Sequence, residues 1–214
     1  MKTIKWILKP IWHLIKNKLK FHRRLRLNNK DVSILANSCV GGFVYDYFGL
    51  PYNSPTVGLL IEDSDFVRFI SDIEKYKSMD LQFINPSDSK HRMLYENHPK
   101  WGWPIAMLDD IEIHFMHYRT KDEAATKWNR RISRLNLQNL IILFAETQNT
   151  TADTLKQIQA FKNYFCILLT YKKAYGLINE HYSEVVANSE EHHWPPQIVC
   201  STIDWKSTFN NLQK

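Results

Sequence analysis

Residues 34–49 read ILANSCVGGFVYDYFG. The aliphatic run that ends at Ala36 closes the segment DVSILA (31–36), which reads as a short buried strand. Residues 41–49 then read as a short helix with Gly49 as its stop. Between them NSCVGG joins a strand end to a helix start, the place where open α/β sheets put their ligands. Cys39 therefore has three readings: a reactive thiol favoured by the helix dipole, part of a backbone cradle for an anion, or a small buried side chain at a crowded turn. Because Gly41 and Gly42 follow the cysteine and open the helix, the cradle comes first and the thiol second.

Outward from this turn, residues 57–62, 81–85, 111–118, 139–146 and 164–171 read as strands, and 197–203 as a last one. Residues 63–78, 121–135 and 151–161 carry helical spacing, with Asp63 or Ser64 capping the first and Thr151 opening the third. Residues 86–103 are an irregular excursion, and a short helix closes the chain. Strands alternating with helices predict an α/β fold of three layers, a mostly parallel sheet flanked by helices, with a mixed sheet left open. A single domain over 31–214 fits this length.

Charge separates residues 1–30 from that domain. They hold ten basic side chains and no acid, out of 28 lysines and arginines in the chain. The remaining 18 face 22 acidic residues, so the body is net negative. Ile4, Ile7, Leu8, Ile11, Leu14, Ile15 and Leu19 fall on one helical face, and Lys2, Lys5, Lys9, Lys16, Lys20 and Arg23 on the other. Pro10 is expected to kink the helix or begin a second one. The apolar run is too short to span a bilayer, so residues 1–30 read first as an amphipathic helix lying on an anionic membrane surface, with packing of the apolar face on the domain itself or on another subunit as the alternative. A nucleic-acid partner is not expected, since no nucleic-acid fold surrounds the basic run. Three dispersed cysteines, with no CxxC, fit a reducing compartment.

Three further segments carry chemistry. LDDIEIHFMHY (108–118) concentrates Asp110, His114 and His117. On a strand Asp110, Glu112 and His114 share one face, and Ile111, Ile113, Phe115 and His117 the other, which makes His117 a core histidine or a base aimed into a cleft. On the helix 121–135, Lys127 and Arg131 are i,i+4 neighbours: a solvated basic face, or a clamp for a phosphate. EEHHWPP (190–196) is a loop whose His192 and His193 serve as a rim or lid. No spacing supports a metal site, and no cofactor is indicated.

NSCVGGFVYDYFGLPYNSPTVGLLI (37–61), WPIAMLDDIEIHFMHY (103–118) and KDEAATKWNRRISRL (121–135) together resemble the DUF1919 family, whose bacterial members are often labelled exopolysaccharide biosynthesis proteins. The resemblance covers residues 31–175. ANSC stands where SNNC is usual, so Asn37 and Cys39 match while Ala36 and Ser38 depart. The resemblance favours Asp110, His117 and Tyr118 as functional positions and brings Tyr52 and Ser54 of the Y-x-S-P motif beside them. The expected site is thus Cys39, His117 and Asp110 for catalysis, with Asn37, Ser38, Gly41, Gly42, Tyr52, Ser54, Tyr118, Lys127 and Arg131 for substrate. The implied activity is group transfer, acyl transfer favoured, onto a polysaccharide or lipid-linked sugar precursor at the cytoplasmic membrane face. The partners would be that membrane and a sugar, lipid-linked sugar or phosphate-bearing donor, with a homo-oligomer left open. The alternative is a non-catalytic membrane-associated scaffold of a polysaccharide assembly complex.

Overall fold

The computed structural model describes residues 2–171, 182–187 and 194–212, with the backbone alone described at 2–9, 11, 182 and 187. His192 and His193 lie outside the described residues.

The fold is α/β. Strand β1 (Ser33–Ala36) pairs in parallel with β5 (Leu140–Ala145), β5 with β6 (Phe165–Tyr171), and β6 with β7 (Tyr182–Ala187). Alternation along these buried strands sorts the core into two halves. Leu35, Ile142, Phe144 and Leu168 face helices α3 (Asp63–Ser71), α4 (Ile73–Lys77), α6 (Lys121–Ile132) and α7 (Ala152–Ala160). Ile34, Ile141, Leu143 and Ile167 face helices α2 (Val40–Phe48), α8 (Pro196–Thr202) and α9 (Trp205–Asn211). Gly49 ends α2 at φ 64°, its N–H returning to Tyr45 and Asp46 carbonyls. A second sheet, antiparallel, takes β2 (Gln82–Ile84), β3 (Ile105–Leu108) and β4 (Ile111–His114). The excursion 86–103 holds a 3-10 turn (Pro86–Asp88) and the short helix α5 (Arg92–Tyr95).

Several expectations need correction. Residues 57–62 do not form a strand: Leu60 alone bridges His114, because Gly58 at φ 78° turns the chain away from longer pairing. Residues 197–203 are helical, since Pro196 occupies the first helical position, where a missing N–H costs nothing; their β-branched content is misleading. Glu62, not Asp63 or Ser64, precedes the first turn of α3. The strand read over 111–118 stops at His114, and β3 with β7 went unread.

Helix α1 (Lys2–Leu25) runs through Pro10 without a break. Its orientation is unexpected. Lys20, Arg23 and Arg24 face the body: Lys20 pairs with Asp46 at 2.5 Å, Arg23 lies 3.8 Å over the Tyr47 ring, and Arg24 donates to the Gly49 carbonyl. The apolar residues Leu14 (69% exposed), Ile15, Phe21 and Leu25 are exposed. Leu27, just past the helix, is in the core. No helix among the described residues is long and apolar enough to cross a membrane.

Candidate functional site

The NSCVGG turn sits at the carboxyl end of β1, as the strand–helix pattern required. Cys39 is the N-cap of α2 and makes no side-chain capping bond. A Cβ on Gly41 would meet Ala36 Cβ at 3.3 Å and Ile34 Cγ2 at 3.5 Å, so Gly41 gives the helix clearance over the strand. A Cβ on Gly42 would meet Val57 Cγ1 at 3.2 Å, where both residues line a cavity of about 700 Å³.

That cavity is the strongest concave feature near the expected chemistry. Cys39 and Gly42 line it together with Tyr52, Val57, Gly58 and His117. The opposite wall is α1, through Trp12, Lys16, Leu19 and Arg23, and α8 closes one end. Aromatic and aliphatic surface, the basic heads of Lys16, Lys20 and Arg23, a thiol and an imidazole therefore share one space. His117 reaches it from a turn: Phe115 N–H donates to Pro104 O and Tyr118 N–H to Phe115 O, which ends the strand and swings His117 out of the expected alternation. The His117 ring is exposed.

Burial pushes the Cys39 thiol above its ordinary value, and the backbone hydrogen bond at Cys39 only partly opposes this. The helix dipole therefore does not deliver the expected thiolate. Burial raises Cys166 to about 12 and Cys200 to about 11, which leaves Cys39 the most accessible of the three sulfurs.

The other expected residues distribute as follows. Asp110 is not at the cavity. With Asp109, at φ 56°, it forms the two-residue turn of the β3–β4 hairpin, where Tyr76 donates to it at 2.7 Å and Arg68 lies 3.6 Å away. That hydrogen bond, with Lys75 and Arg68 nearby, lowers its pKa. The four strand residues of β4, at about 3.4 Å each, separate it from the His117 turn. Asn37 is fully buried and clips β1 to β5: its amide donates to Ala145 O and accepts from Ala145 N–H, both at 2.9 Å. Ser54 is buried against Thr56 Oγ1 at 3.0 Å. Ser38 Oγ is buried without a partner among the described residues.

Tyr118, Lys127 and Arg131 form a group directly behind the cavity wall. Tyr118 Oη donates to Val57 O at 2.6 Å, and burial raises its pKa, keeping it neutral. Arg131 Nη1 donates to the same carbonyl at 2.9 Å and to Tyr118 Oη. Lys127 stays outside, paired with Glu123 at 2.6 Å. The basic helix face is thus split: one end solvated, the other buried. Sequence reading missed Lys16, Arg23 and Phe43 as wall residues; the i,i+4 spacing of Lys16, Lys20 and Arg24 was the available signal, but not which way it faced.

A second polar centre was also missed. Asp65, fully buried, accepts from Lys90 Nζ at 2.8 Å, His91 Nε2 at 3.1 Å, Glu112 N–H at 2.9 Å and Arg68. Burial raises its pKa, but these hydrogen bonds more than reverse it and hold the carboxyl well below the usual range. Glu112, also pushed up by burial, ends below its ordinary value through His114, Ser89 and Lys90 N–H. His114 Nδ1 accepts from Trp103 at 3.1 Å, while its Nε2 lies 2.8 Å from Glu112 at an angle outside hydrogen-bond geometry. Among the described residues no cluster of His, Cys, Asp and Glu is arranged to hold a metal.

A family model described as a domain of unknown function, DUF1919, matches residues 11–194. An uncharacterized protein of Haemophilus influenzae is 34% identical over 136 residues, covering 64% of this chain and 58% of that protein, so the similarity spans little more than half of the relative. With the Cys39 turn and the wall residues from Trp12 to His117 inside the matched range, the chain belongs to the DUF1919 family.

Proposed function

We propose that this protein is a group transferase of capsular or exopolysaccharide biosynthesis that handles a phosphate-bearing, lipid-linked sugar at the inner face of the cytoplasmic membrane, acyl transfer being favoured. The observation that carries the reading is the shared cavity: Cys39, Gly42 and His117 on one wall, basic and apolar side chains of α1 on the other, and Leu14, Phe21 and Leu25 of α1 turned outward. An exposed run of Leu14, Phe21 and Leu25 on a basic helix suits insertion into an anionic interface. Docked in this way, α1 would hold the cavity mouth at the lipid surface.

In the favoured chemistry, the Cys39 thiol attacks the carbonyl of an acyl thioester while His117 takes the thiol proton. The donor C–S bond breaks, and the departing thiolate leaves with that proton. A sugar hydroxyl then attacks the Cys39 thioester, gives its proton to His117, and Cys39 leaves as the thiol. Because burial disfavours a free thiolate, proton removal has to accompany bond formation. Incubation with a short-chain acyl thioester and a polyprenyl-phosphate sugar tests this. Transfer should fall about 10²–10⁴-fold in His117→Ala, and Leu14→Glu with Phe21→Glu should abolish sedimentation with anionic vesicles.

The raised thiol and the remoteness of Asp110 favour a second reading, a non-catalytic membrane-associated binding module of a polysaccharide assembly complex. Binding of the lipid-linked sugar without transfer from any acyl donor would select it.

A further inference from the structure

We infer that the guanidinium of Arg131 is the internal counter-charge for a phosphate seated at the Tyr52–Gly58–His117 end of the cavity, with Tyr52 as its movable cover. The inference rests on the reading of that cavity as the place of a phosphate-bearing amphiphile, and it fixes which end takes the charged head.

Arg131 is 6% exposed. A guanidinium carries five N–H donors, and a buried one is ordinarily paired with a carboxylate or phosphate. Here the acceptors are a peptide carbonyl, Val57 O, and a neutral phenol, Tyr118 Oη. Nε is buried and has no partner, and Arg131 enters no ion pair among the described residues. The remaining contact is the Tyr52 ring, whose centroid lies 5.0 Å from the guanidinium carbon. An uncompensated buried cation is expensive to retain, and a ligand anion is the simplest compensation.

Its position gives that charge a use. Val57 and Tyr52, which hold and cover Arg131, both line the cavity. The guanidinium therefore lies behind the part of the wall formed by Tyr52 and Val57. Of the other cations, Lys20 pairs with Asp46 and Lys127 with Glu123, while Lys16 and Arg23 on the α1 wall lie over the Trp12 and Tyr47 rings without an anionic partner among the described residues; Arg131 differs from all four in being buried. Tyr52 is 37% exposed and packs edge-on to Tyr45, with centroids 5.7 Å apart, so a rotation toward solvent would open the side of the guanidinium it lies over. Bidentate N–H donors then meet a phosphate, while the apolar wall at Trp12, Leu19 and Phe43 takes the chain attached to it.

The test is phosphate binding to the full-length protein, read by phosphorus NMR with inorganic phosphate, dodecyl phosphate and neutral dodecyl maltoside as probes. Arg131→Gln, verified as folded by circular dichroism, should weaken inorganic phosphate by about tenfold or more, the scale of one charge-assisted hydrogen bond. Unchanged affinity in a folded Arg131→Gln overturns the inference, as does a wild-type protein that binds neither phosphate probe. Should Arg131→Gln fail to fold, the cover decides: Tyr52→Ala should tighten phosphate and Tyr52→Trp should weaken it, and wild-type affinity in both overturns the proposal. Tighter binding of dodecyl phosphate than of inorganic phosphate identifies a lipid head as the source, and equal binding a free or sugar phosphate; both support the anion site. If the phosphate and maltoside detergents bind equally and Phe43→Ala weakens both, the amphiphile cavity survives and the role of Arg131 fails. If only phosphate binds, in a manner dependent on Arg131, the anion site stands and the amphiphile reading fails.

Discussion

Two polar regions of this molecule use buried charge in opposite ways. Beneath the excursion 86–103, Asp65 gathers Lys90, His91, Arg68 and a backbone N–H, and Glu112 gathers Ser89 and Lys90 N–H. Each carboxylate there is compensated, and the excursion is fastened to the body by that compensation. Behind the cavity, Arg131 has neutral acceptors and an unpartnered Nε, and Ser38 Oγ is also unpartnered. Satisfied buried charge fixes a loop in place; a buried guanidinium with no anion beside it among the described residues is the observation on which the phosphate proposal rests. Titration causes follow the same division: hydrogen bonds dominate at Asp65, whereas burial dominates at Cys39.

The largest effect expected from breaking this contrast is at Asp65. Asp65→Asn leaves Lys90, His91 and Arg68 without their common anion and should lower unfolding stability near pH 7 by about 3 kcal/mol in urea titrations. The pH dependence has a definite sign. The folded-state carboxyls of Asp65 and Glu112 lie below their unfolded values, so they contribute stability above the ordinary carboxylate range and lose it as the pH falls through that range. Glu62 and Asp63, raised by burial, run the other way, contributing in acid and losing that contribution as the pH rises through their folded values. The stability deficit of Asp65→Asn should therefore shrink on acidification; a deficit independent of pH between 7 and 3 would remove the role given to its ionisation.

Gly41→Val should come next. Its new side chain meets Ala36 and Ile34, and the overpacking should cost about 1–3 kcal/mol of stability. Calorimetry showing no change would mean that α2 is less tightly seated on β1 than these contacts indicate.

Smaller again is the response of the cavity thiol. Cys39 should be the first of the three cysteines to alkylate, slowly near neutral pH and faster as the pH passes the ordinary thiol range, because burial raises the protonated form. Rapid labelling at pH 7, followed by mass spectrometry, would contradict this. Least of all should be the stability change from Leu14→Glu, about 0.5 kcal/mol or less, since that side chain touches little of the body. A large loss would mean that the outward face of α1 is covered in solution.

Much of the parallel sheet was legible because its strands are continuous aliphatic runs, as NLIILFAE and FCILLTY show, and such runs have few other fates. The antiparallel hairpin was only half legible. IAML and IEIH are four residues each, and the Asp109–Asp110 turn between them reads as strand unless the left-handed conformation of Asp109 is known. Residues 197–203 misled through β-branched content, where one proline set the helix start. For the site, the strand–turn–helix pattern identified Cys39 and Gly42, and His117 arrived at the same cavity from a turn rather than a strand. Asp110 departed, because a shift from strand to hairpin turn moves a side chain to the far end of the element.

The sequence by itself determined the α/β class, the strand-to-helix turn at Cys39, the amphipathic basic helix at the start of the chain and the absence of metal-site spacing. These follow from periodicity and local backbone preference, which act over a few residues. Only the tertiary structure decided that α1 turns Lys20, Arg23 and Arg24 to the body and Leu14, Phe21 and Leu25 outward, that Arg131 is buried while Lys127 is not, and that Asp65 rather than Asp110 is the carboxylate at the centre of a charge network. Orientation about a helix axis and the choice between solvent and interior depend on which surfaces meet across long stretches of chain. Two residues one turn apart, chemically alike in the sequence, can thus end with opposite solvation.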